Sequence, residues 1–345
     1  MTANDGDGME IRKLQLTGGS SIAITLPKKW IERSHLHAGD AVGCVVRQDG
    51  SLLVTPRAGR KRAPQTLEIE IAGEKSEHLF RLLVGAYLNG YEIIRLHSKK
   101  ALDTGAREVV RKAAKRAMGL EIVDESPNDV TLQDFLDPTE FPLERGLRRM
   151  AAMCQLMHQD AWSQVKTGLA KEDAGMEERD SEVDRLYWLV NKQFHRLLRD
   201  AQLADKMQMT PNQALNFLLV ARLVERTADH AKRISDNAAE LHGEPLPAAL
   251  LKQVDRMADE AHAIFKDGIA AFFKKDSRAA NACIDRAGDV HAAKRKLVHE
   301  VMEMRGTALP AVALAYILES LERTASYGAD VAETAINHVV ANKES

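Results

Sequence analysis

The residues whose types and spacing could do chemistry are carboxylates repeated at helical intervals in the C-terminal part of the chain. In the run VERTADHAKRISDNAAE these are Glu225, Asp229, Asp236 and Glu240. An α-helix turns about 100° per residue, so the four fall within a stripe roughly 60° wide. Upstream, Asp180 and Asp184 share a helix face with Glu177, Asn191 and His195. Like charges four apart cost an isolated helix about 0.2–0.5 kcal/mol per pair, so repeating them needs a reason. Hard cations supply one, because carboxylate oxygens coordinate them and the repulsion becomes attraction. The other reading is a solvated face, with the acids paired to neighbours such as Arg185, Arg226 and Arg233.

Catalysis finds no such support. There is no GxSxG, P-loop, HExxH or Cys/His pairing with the spacing of a nucleophile. A carboxylate-bridged di-iron oxidase requires Glu-x-x-His on two helices, and no histidine of the helical region has a Glu three residues before it. Glu32 and His35 fit that spacing but stand alone; His195, His230 and His291 are suited to capping or exposed roles, or to completing a ligand set. The expectation is a protein without an active site.

The acids need helices to present them. From Pro142 to Val340 the sequence is helical almost throughout, with breaks at 172–174, 207–211, 242–247, 276–277 and 305–310, which predicts six helices. They divide into two sets of three. In each, the second helix carries a DxxxD, Asp180 with Asp184 and Asp285 with Asp289, and the third carries an acid followed by RTA, at Glu225 and Glu322. An internal repeat is the economical explanation.

Two further segments precede the helices. Residues 9–57 alternate short strands and turns (KLQL, TGGSS, SIAIT, AVGCVVR, SLLVTP) around a short helix opened by Pro27. So short a β unit buries little core, and a second copy is expected to complete it. Residues 64–138 read as βαβαββ, a small α/β sandwich with no visible chemistry. The resulting expectation is a multi-domain α+β chain: a β module at 9–57, the sandwich at 64–138, and two three-helix bundles at 142–242 and 247–341.

Composition fits this plan. Aromatics are 5% against 12 Met, a balance that favours helices. Cys44, Cys154 and Cys283 are scattered and form no CxxC, which argues against a disulfide framework or a structural zinc. No apolar run reaches the length of a membrane span and no signal-peptide pattern opens the chain, so a cytoplasmic protein is expected. The formal charge of -2 hides an asymmetry: residues 9–62 hold ten Lys or Arg against four Asp or Glu. A basic N-terminal part suits an anionic partner.

The run ERTADHAKRISDNAAE, with DSEVDRL ahead of it and the second repeat behind it, resembles the PhoU family of phosphate-signalling regulators, in an arrangement similar to archaeal members. The resemblance implies metal clusters held by the paired acids, with Fe, Zn, Mn or Mg as the ion. It places the first at Asp180, Asp184, Glu225 and Asp229, and the second at Asp285, Asp289, Glu322 and Glu333. It also implies control of phosphate uptake through a phosphate-transport ATPase or a signalling partner. One position departs from the pattern: Ser326 stands where ERTxD would supply the second repeat's acid, with Glu319, Asp330 and Glu333 near enough in angle to compensate.

Independently, RKLQLTGGSSIAITLPKKWIERSHLHAGDAVGCVV is similar to swapped-hairpin domains of the AbrB/SpoVT type. That likeness implies a homodimer and double-stranded DNA as a partner. Arg12, Lys13, Lys28, Lys29 and Arg33 are the candidate phosphate contacts, helped by Arg60, Lys61 and Arg62. The alternative function is thus a metal- or phosphate-responsive transcription factor.

Overall fold

The computed structural model of the chain describes residues 10–46, 50–56, 63–73, 75–167, 174–241, 246–303 and 308–341. Arg60, Lys61 and Arg62 lie outside the described residues. The chain divides into two compact units, residues 1–63 and 64–345.

The first unit is built from two antiparallel hairpins around a short helix. Strands β1 (Gln15–Thr17) and β2 (Ser21–Ala23) pair with Leu16 opposite Ile22. Their turn uses Gly18 and Gly19 at φ +60° and +85°, backbone that residues with a Cβ avoid. Helix α1 (Lys28–Arg33) follows Pro27, and β3 (Gly43–Val46) pairs with β4 (Leu52–Thr55). No described residue of this unit is buried. Leu16, Ile22 and Val46 are at least two-thirds exposed, so the hairpins have no core of their own.

The second unit opens with the sandwich: β5 (Thr66–Ile71), α2 (Ser76–Leu88), β6 (Ile93–Ser98), α3 (Thr104–Arg116), β7 (Leu120–Glu125) and β8 (Asp129–Asp134). The strand order is β5-β6-β8-β7, with β5 and β6 parallel and the other pairs antiparallel. Period-two alternation sends Ile71, Ile94, Leu96, Val130 and Leu132 into a core shared with Leu79, Leu83 and Val110 of the two helices. The opposite face carries the exposed pairs Arg95–Glu68 and His97–Asp129.

The helical body follows: α4 (Leu143–Thr167), α5 (Ala174–Arg199), α6 (Ala201–Lys206), α7 (Pro211–Glu240), α8 (Ala248–Lys274), α9 (Ser277–Met302) and α10 (Ala308–Ala341). Six are the expected long helices. The short α6 is an addition, started by the Asp200 side chain accepting from the N–H groups of Gln202 and Leu203. A capping box of Thr210 and Gln213, with Pro211 as first helical residue, restarts the chain as α7. Helices α4, α5 and α7 form one set and α8, α9 and α10 the other, and α7 also packs on α10. One continuous apolar core runs through both sets. Helices α8 and α10 approach closely at Gly268 and Gly328: a Cβ on Gly328 would lie 2.8 Å from the Phe265 backbone.

The sandwich is fastened to α5. Lys192 and Asp134, 0% and 1% exposed, form an ion pair with both carboxylate oxygens 2.9–3.0 Å from Nζ. The ammonium also donates to the Met118 carbonyl at 3.4 Å and lies 4.5 Å from the Tyr87 ring. Arg196 of the same helix reaches Glu92 at 2.8 Å.

Candidate functional site

Helices α5 and α7 pack together and bring the first-repeat acids onto one face. Asp184 is half-buried and accepts from Arg116, the last residue of α3, at 2.9 Å. Asp180 accepts from Lys232 of α7 at 3.3 Å, and Lys232 also pairs with Glu177. Glu225 pairs with Arg222 of its own helix, at 3.7 Å, and its Oε2 is buried with no hydrogen-bond partner among the described residues. Asp229 sits at the exposed rim and makes no ion pair among the described residues. Arg185 pairs with Glu182 instead of these acids, whose cations are Arg116, Lys232 and Arg222.

The electrostatics follow from this shortage of partners. Burial, then the charge of Asp180, pushes the Asp184 carboxyl up to about 6, with Arg116 offsetting only part. Burial and Asp229 push Glu225 up to about 7. Asp229 is also raised, by desolvation and then by Asp180. Burial is the first cause for all three acids and the neighbouring carboxylates add to it, a setting that a bound cation would relieve. The orphaned oxygen of Glu225 fits the same use. As the side chains stand, no three His, Cys, Asp or Glu among the described residues converge enough to hold a metal ion. Asp236 and Glu240 continue the stripe as exposed residues toward the end of α7.

The second repeat is arranged differently. Asp285 and Asp289 on α9 and Glu333 on α10 are exposed. Glu322 has two hydrogen-bond partners, Ser326 Oγ at 3.2 Å and His291 Nδ1 at 3.3 Å, and an ion pair with Lys294 Nζ at 3.7 Å. Lys294 pairs more closely with Glu319, which also accepts from Arg323 at 3.1 Å. Thus Ser326 supports Glu322 as a donor where an acid would have faced it. His230 packs on the Tyr327 ring and His195 on Phe194.

Several residues at these faces escape a reading by sequence pattern. Lys232 lies within about 20° of Glu225 on the helix wheel, so its entry into the acid stripe could have been foreseen. Arg116 could not, being 68 residues from Asp184 in the chain. A buried pair, His158 and His262, joins α4 to α8 at 3.2 Å, with the His158 Nε2–H donating to the Thr227 carbonyl. In the N-terminal unit, Arg12, Lys13, Lys28, Lys29 and Arg33 are all exposed; Lys28 pairs with Glu32 at 3.7 Å and Arg12 with Glu10.

Two consecutive three-helix sets with a shared core and an acid face on α5 and α7 define a duplicated helical-bundle protein. Comparison with known families gives the class its name: the PhoU domain matches residues 147–238 and 254–335, together just over half of the chain. The chain belongs to the PhoU family. The crystal structure of PhoU from Pseudomonas aeruginosa is similar, with a TM-score of 0.54 at 17% identity over 59% of this chain and 98% of that one. The phosphate transport system regulatory protein PhoU from Streptococcus pneumoniae aligns over 58% of this chain and 96% of its own, with a TM-score of 0.43 and 18% identity. Residues 15–62 match the antidote-toxin recognition family MazE, a bacterial antitoxin. No curated protein matches the chain.

Proposed function

We propose that this chain is a cytoplasmic, non-catalytic regulator of phosphate homeostasis that restrains phosphate uptake by docking a phosphate-transport ATPase or a signalling partner through its helical body. The observation that carries this reading is the match of both PhoU repeats, in order, to a single helical body. Cells lacking the protein are expected to take up phosphate without restraint when phosphate is plentiful. Uptake identical to that of the parent strain would sink the proposal.

In the same reading the first-repeat acids hold a hard cation, Fe, Zn, Mn or Mg, through Asp180, Asp184, Glu225 and Asp229. The raised Glu225 carboxyl, pushed up by burial and then by Asp229, and its unpartnered oxygen support this. Bound there, a metal ion would cancel the mutual repulsion of the acids. Asp285, Asp289, Glu322 and Glu333 are the candidates for the weaker second site, weaker because Glu322 is already satisfied. Purified wild type is expected to contain more metal than the Glu225→Ala, Asp229→Ala double variant, and equal content would dismiss the metal.

The N-terminal unit is proposed to pair with its copy in a second chain and to place its basic residues against double-stranded DNA. The exposed Lys13, Lys29 and Arg33 favour that second function, a direct transcription factor. A gel shift on DNA upstream of phosphate-transport genes, weakening with salt and in Lys28→Ala with Lys29→Ala, is expected; no shift at low salt removes DNA from the account.

A further inference from the structure

The sandwich supplies a side chain to a site that the PhoU repeats alone would leave open. Arg116 ends α3, outside the two regions that match the PhoU domain. It nevertheless reaches Asp184, one of the four acids of the first repeat, at 2.9 Å. We propose that Arg116 is the protein's own occupant of the first-repeat acid cluster and sets its affinity for metal cations, the Arg116–Asp184 pair and a bound metal ion being alternatives. The inference rests on the reading of these acids as a metal site.

The contacts of Arg116 mark it as replaceable. Its guanidinium has one carboxylate partner, Asp184, and its Nε is buried with no hydrogen-bond partner. The flat group lies 5.2 Å over the Trp188 ring, which leans on Phe80 of α2. A structural Arg donates through several N–H groups to acceptors arranged in a fork, whereas this guanidinium makes a single hydrogen bond beside its stacking on Trp188. What fastens the sandwich is the fully buried Lys192–Asp134 pair, with Arg196–Glu92 beside it. The sandwich therefore stays in place when Arg116 lets go.

Lys232 makes a second internal counterion by bridging Glu177 and Asp180. With both cations in place Asp184 and Asp180 are each engaged by a cation of their own. A metal ion must displace Arg116 to claim Asp184, and the coupling is reciprocal: whatever moves α3 changes the affinity of the acids, and metal binding changes the surroundings of Trp188.

The test is titration of the full-length protein, stripped of metal, with Mn2+ by calorimetry. Arg116→Gln removes the competing charge, and it is expected to bind Mn2+ about tenfold more tightly than wild type, in the usual range of coupling between sites. Arg116→Lys, which keeps the charge, is expected to stay near wild type. Equal affinity in wild type and Arg116→Gln overturns the role of Arg116 while leaving the metal site standing. No binding by either at millimolar Mn2+ overturns the metal site and this inference with it. A measurement independent of the variant's folding is the tryptophan emission of wild type, expected to change as Mn2+ saturates the protein and to lose that change in Trp188→Phe. No change in wild type at saturation overturns the proposal.

Discussion

At the scale of single residues, Glu225 is the side chain whose environment departs furthest from what an acid prefers. Its folded pKa, raised to about 7, lies above the unfolded value of about 4.3. The neutral form is therefore the one the fold favours. The contribution is fully present below the unfolded pKa and is lost as pH rises through about 7. In chelator-treated protein, Glu225→Gln is expected to be more stable than wild type at pH 8, by on the order of 2 kcal/mol, and indistinguishable from it at pH 4. Urea melts at the two pH values check this, and the gain should shrink when Mn2+ is added to the wild type. That Glu225 and Asp229 share a face was legible from a spacing of four, since helical periodicity is local. Which cations answer them was not, because Arg116 arrives from another layer of the fold.

At the scale of elements, two contacts decide how the helices and the sandwich stay together. Lys192→Ala leaves the buried Asp134 with Arg196, 3.6 Å away, as its remaining cation and is expected to cost about 3 kcal/mol, read as a lower urea midpoint. Replacing both partners by apolar residues of similar volume should recover most of that loss, because the pair must overcome its own desolvation. Gly328→Ala drives a methyl into the Phe265 backbone and is expected to cost roughly 1–3 kcal/mol by forcing α8 and α10 apart. Helix boundaries were largely legible: Asp276 and Pro211 mark starts where the structure has them. The short α6 was hidden in what reads as the end of the second helix, with its break at 207–211, since its cap, Asp200, follows directly on α5. The fastening of the sandwich was out of reach for a different reason. Lys192 and Asp134 are ordinary charged residues in sequence, 58 positions apart, and only packing makes them a buried pair.

At the scale of the whole molecule, the two units differ in how they are stabilised. Residues 64–345 have two large apolar cores, and the helical one spans both repeats, so the repeats are expected to unfold in one transition instead of two. The N-terminal unit has no buried residue among those described, which its short length already implied. The full chain is accordingly expected to sediment as a dimer, and Leu16→Asp with Ile22→Asp to shift it to monomer while its helix content stays unchanged. On the proposed pairing of two copies, order in these hairpins is acquired in a second-order reaction. The fraction of folded N-terminal units then climbs in proportion to chain concentration when the protein is scarce and levels off when it is abundant. Such a unit responds to how much of the regulator the cell has made, a variable separate from any ion or phosphate signal received by the helices.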